Sequence, residues 1–131
     1  DAERIGDYCK NIFDLSVLGR GFPDGVREDL LESKSSITRL LAKARNIYKS
    51  EDEEDARAFI AQADALAQHC DARAMAMVAR EDPDGKSAIS ALTYRYFKRI
   101  LSHAINIITS VVVPVDQLDY YDEDVEGRED G

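Results

Sequence analysis

Two carboxylates near the start of the chain have a spacing that suits a cation. Glu3 and Asp7 stand four residues apart. On a helix that is one turn on the same side, so their oxygens can converge on one ion. On the residues alone, a solvated helix face with Glu3 paired to Arg4 or Lys10 accounts for them more simply. Glu51 and Asp55 repeat the spacing just after a helix-start signal, where stabilisation of the helix dipole is the simpler account. Asp64 and Gln68 repeat it again, and His69-Cys70-Asp71 follows. Successive helical residues point about 100° apart, so that tripeptide cannot close on one ion. His103 stands alone and reads as a packed or hydrogen-bonded side chain. There is no Gly-rich phosphate loop, nucleophile elbow or zinc-protease pattern. A di-iron bundle would need Glu three residues before a histidine, but Leu66 and Ile100 hold those places before His69 and His103. The residues point away from an enzyme.

These side chains must be positioned by helices. Residues 1–18 place Ile5, Cys9, Ile12, Phe13 and Val17 at three- and four-residue spacing, with Gly19 as the stop. Glu3 and Asp7 face away from that stripe. Residues 26–49 carry a second stripe through Leu30, Ile37, Leu40, Leu41, Ala44, Ile47 and Tyr48. Ser50 followed by Glu53 is a capping-box signature and starts a third helix, rich in alanine, through Phe59, Ala63, Ala67, Cys70, Met77 and Val78. Asp82-Pro83-Asp84-Gly85 separates it from a fourth, residues 87–113, with Ile89, Leu92, Tyr96, Ile100, Ala104 and Ile108 on its stripe. Pro114 stops the fourth helix. The run Val111-Val112-Val113 favours a strand locally but has no partner strand. The expected fold is all-α: an antiparallel bundle of three long helices and a shorter N-terminal one over residues 1–115.

The chain is 131 residues with a net charge of −9, one domain in size. Residues 116–131 form an acidic tail: Asp116, Asp119, Asp122, Glu123, Asp124, Glu126, Glu129 and Asp130 against Arg128, a net −7. That tail argues against nucleic-acid binding, which needs a basic footprint, and against anionic membrane surfaces. No apolar run approaches the roughly 20 residues of a membrane span. No signal peptide is visible, and two cysteines in apolar stripes, Cys9 and Cys70, suit a reducing cytoplasm better than a disulfide framework. The chain begins in mid-pattern at Asp1 without a methionine, as expected of a piece of something longer.

Ten residues near the start have an echo near the end. Glu3-Arg4-Ile5-Gly6-Asp7-Tyr8-Cys9-Lys10-Asn11-Ile12 aligns with Lys98-Arg99-Ile100-Leu101-Ser102-His103-Ala104-Ile105-Asn106-Ile107, matching Arg4 with Arg99, Ile5 with Ile100, Asn11 with Asn106 and Ile12 with Ile107. Arg and Asn seven apart lie on nearly the same helix face, two turns apart. The first copy resembles the signature of the last helix of a PhoU repeat, the helical family associated with regulation of phosphate uptake. That family is built of two three-helix bundles related by an internal repeat. The resemblance implies that residues 1–18 end a first repeat and that residues 24–113 form the whole of a second.

The resemblance further implies a cytoplasmic protein-interaction module that restrains a phosphate transporter or its sensor kinase when phosphate is plentiful. In the family, acid-x-x-x-Asp patterns supply oxygen ligands to iron or zinc, which casts Glu3 and Asp7 as metal ligands. In the second copy Lys98 and Ser102 replace them, which puts a second metal cluster in doubt, and His103 substitutes only in part. Two other readings share the fold: the cytosolic domain of a sodium–phosphate cotransporter-like protein, and a ferritin-like metal-binding bundle. Exposure of the apolar face of residues 1–18 is expected to be relieved in a four-helix monomer or a homodimer.

Overall fold

A computed structural model describes residues 2–17, 21–23, 25–81 and 85–112. Four helices follow in order: α1 Ala2–Val17, α2 Val26–Ser50, α3 Glu53–Val78 and α4 Lys86–Val112. The fold is an all-α helical bundle with no strand among the described residues. The valines at the end of α4 continue the helix as far as Val112, so packing overrides their strand preference there. Gly19, Pro83, Pro114 and the acidic tail lie outside the described residues.

The turn between α2 and α3 sits two residues later than the capping box at Ser50 predicts. Ser50 completes α2, its hydroxyl donating back to the Ile47 carbonyl at 3.5 Å. Glu51 takes a left-handed conformation, φ 54°, and its N–H closes on the same carbonyl at 2.8 Å. Asp52 then caps α3, a carboxylate oxygen accepting from the Asp55 N–H at 2.9 Å. Both Ser50 and Asp52 precede an acid by three residues, and the charged cap takes the helix start.

Helix α4 is the hub, packing against all three others, most extensively against α3. On α3 the buried residues Ala56, Ala63, Cys70 and Met77 recur every seven positions, with Phe59, Ala67 and Ala74 between them. The small side chains give α4 close access, and Tyr94, Phe97, Ile100, Leu101, Ala104, Ile105 and Ile108 fill the space. Contacts such as Asp29 with Tyr94 and Lys98 with Asp71 run α2 alongside α4 in the same direction and α3 opposite to both. Helix α1 lies antiparallel on α4, with Ile5, Tyr8 and Ile12 partly buried against the core. Some expected stripe residues are exposed. Val78, Tyr48 and Leu92 face solvent, and so does Cys9, because α1 touches only α4 closely and needs a narrower stripe. Among the described residues no helix is long and apolar enough to cross a membrane.

Candidate functional site

Three groups of side chains merit a functional reading, and the first ties α2, α3 and α4 together. Asp29 sits in the first turn of α2, where the helix dipole favours a carboxylate. Its oxygens accept a short hydrogen bond from the Tyr94 hydroxyl, and His69 Nε2 lies 3.1 Å from both. Arg73 Nε stands 3.7 Å away, its guanidinium 6.0 Å from the centre of the Tyr94 ring. Burial disfavours the charge on Asp29, but the hydrogen bonds from Tyr94 and His69 and the charge of Arg73 outweigh it, and the carboxyl is held below its ordinary range. Burial, with the Asp29 hydrogen bond, pushes the Tyr94 phenol up to about 12. Next to this group Lys98, buried along its length, reaches Asp71 at 3.2 Å, with Arg95 at 3.9 Å from the same oxygen.

Chemically the group is a charge-compensated clamp. Its one thiol, Cys70, is buried, and burial together with Asp29 and Asp71 pushes it up to about 12. A nucleophilic or metal-binding cysteine needs the opposite shift, so Cys70 is a packing group. The His69-Cys70-Asp71 tripeptide splits as the helix geometry requires: His69 turns to α2, Cys70 to the core and Asp71 to α4. Asp64 is occupied with its own helix, accepting from Gln68 at 2.9 Å. The residues that matter most here, Asp29, Arg73 and Tyr94, carry little sequence signal. One sign is available: Arg73 stands seven residues after Leu66, a charge in an apolar register that calls for a partner.

The second group is the exposed face of α1. Glu3 and Asp7 are both solvent-exposed and share one helix face, away from α4. Among the described residues no group of three or more His, Cys, Asp or Glu side chains is placed to hold a metal ion. Two exposed carboxylates can hold iron or zinc only together with ligands from elsewhere. Glu51 is the turn residue ahead of α3, and Asp55 serves the Asp52 cap.

The third group joins the two echoed segments. Tyr8 stacks on His103 with ring centroids 5.7 Å apart and a 25° interplanar angle, and Tyr96 flanks it at 5.8 Å. The echo offset of 95 residues makes His103 the counterpart of Tyr8. The Arg99 guanidinium lies 5.7 Å from the Tyr8 ring centre. Burial, followed by neighbouring positive charge that includes Arg99 and Arg4, lowers the His103 pKa. Arg4 and Arg99 are themselves counterparts under the echo. Under the echo, Tyr8 meets its own counterpart. Asn11 and Asn106 are both half-buried.

What the fold and these groups define is an all-α helical bundle whose first and last helices meet through the Tyr8–His103 stack. No family model matches the chain, and no curated protein or solved structure matches it significantly.

Proposed function

We propose that the chain is a PhoU-like regulator of phosphate transport and phosphate-starvation signalling, the last helix of one three-helix unit followed by a complete second unit. The observation that carries this reading is the stacking of Tyr8 on its own counterpart His103, with Arg99 over the Tyr8 ring. A duplicated unit would place the two repeat-ending helices in equivalent surroundings, and the signature at residues 3–12 is what links that unit to the family. The module acts on the cytoplasmic side by docking helix faces on a phosphate transporter component or its sensor kinase. Its net charge of −9 disfavours anionic lipid and nucleic acid and leaves basic protein surfaces as the natural counterpart.

Cells lacking the gene are expected to keep importing phosphate and expressing starvation genes in phosphate-rich medium, and the restored gene is expected to reverse both. Uptake and expression that do not respond to the deletion would overturn the reading. The metal ligands are tested separately. Iron or zinc retained by protein purified without chelator should fall when Glu3→Ala is combined with Asp7→Ala. Stability should move by less than about 0.5 kcal/mol, because both side chains are exposed. Elemental analysis that shows metal undiminished in the double variant removes Glu3 and Asp7 as ligands.

A further inference from the structure

Helices α1 and α2 both rest on α4 but barely touch one another, and the space between them is an open groove of about 550 Å3. Its walls are apolar: Ile5 from α1, Leu41, Ala44 and Tyr48 from α2, and Ala104 and Ile107 from α4. Arg45 and Lys49 stand on its α2 side, and no acid lines it among the described residues. Tyr48 leaves 58% of its surface in water there. The trough joins apolar walls to a basic edge.

We propose that the occupant of this groove is the chain's own acidic tail, residues 116–131. The first argument is charge. The tail carries a net −7, more than three-quarters of the charge of the whole chain, and the groove edge supplies two cations. The second is pattern. Leu118, Tyr121 and Val125 fall at the three- and four-residue spacing of one helix face, with Asp119, Asp122, Glu123, Asp124 and Glu126 between and around them. The third is tethering. The groove follows the last two turns of α4, from Ala104 to Ser110, and the chain passes directly from α4 into the tail. Pro114 cannot continue the helix. From Val112 to Leu118 the chain can span about 20 Å, and the groove residues of α4 cover about 9 Å of rise. A segment tethered this closely sees its site at an effective concentration of order millimolar, so even a weak contact is populated. In the docked state Leu118, Tyr121 and Val125 meet Leu41, Tyr48 and Ile107, and the flanking acids meet Arg45 and Lys49. The inference does not depend on the phosphate reading, because it uses only the groove and the tail.

The chain contains no tryptophan, so Tyr121→Trp in the full chain places a single indole on the tail. Its emission should be blue-shifted and protected from acrylamide, and both readings should be independent of protein concentration. Combining it with Arg45→Glu and Lys49→Glu should shift the emission to that of a solvated indole while helical circular dichroism stays unchanged. About 1 M salt, where the Debye length is about 3 Å, should move it in the same direction. Val125→Trp repeats the measurement in case the larger ring at position 121 blocks seating. Solvated emission from both probes in the unaltered groove overturns the proposal. So does a blue shift that grows with protein concentration, which would seat a second copy, or one that survives both charge reversals.

Discussion

Phe59→Ala is expected to lower the free energy of unfolding by about 4 kcal/mol, and the melting temperature by about 15 °C. Phe59 is among the largest fully buried side chains and the one aromatic on the core face of α3, 2% exposed. Its neighbours on that stripe, Ala56 and Ala63, are already at the backbone and have no side chain with which to fill a void. The cavity should therefore persist, and the cavity cost should add in full to the lost transfer energy. Phe59→Leu keeps most of the volume and should cost about 1.5 kcal/mol or less. Urea unfolding followed by circular dichroism measures both. A Phe59→Ala loss below about 1.5 kcal/mol would mean that α3 and α4 can collapse together, and the close packing assigned to the alanine stripe would be wrong.

That stripe also shows how far the sequence alone could be followed. Apolar residues at three- and four-residue spacing made four helices and an all-α bundle legible, because helix periodicity is a local property. The boundary between α2 and α3 was displaced by two residues because two overlapping cap signals compete, and only the backbone shows that Asp52 prevails. Glu3 and Asp7 were legible as an exposed pair, since one turn of one helix contains both. The clamp was not, because Asp29 is 40 residues from His69 and 65 from Tyr94. An acid in a first helical turn and a tyrosine in an apolar helix are each ordinary until tertiary packing brings them together. The echo of residues 3–12 was legible as a sequence match. That Tyr8 meets His103 depends on how α1 crosses α4, which no spacing encodes.

Raising the pH from 9 to 12 should destabilise the bundle steeply, and two side chains of the clamp region should account for the slope. In the unfolded chain the Cys70 thiol ionises near pH 9 and the Tyr94 phenol near 10, whereas burial in the native bundle pushes each up to about 12. The native state therefore holds these two protons after the unfolded state has released them. Their stabilisation is fully present below pH 9 and is lost as the pH climbs toward 12, each group costing up to about 1.4 kcal/mol per pH unit. Asp29 acts at the other end of the scale. Its folded pKa is lowered, so its contribution is present above about pH 4 and is lost as the pH falls through the folded value. Tyr94→Phe separates the terms. At neutral pH it removes a hydrogen bond to a charged acceptor and should cost about 2 kcal/mol. Above pH 10 it should also flatten the alkaline fall, because phenylalanine has no proton to lose. Cys70→Ala should flatten the fall from pH 9 upward. Urea midpoints across pH 3 to 12 for the three proteins measure all of this. If both variants lose stability between pH 9 and 12 as steeply as the parent, Tyr94 and Cys70 are not held protonated, and the clamp does not join α2 to α4 as described.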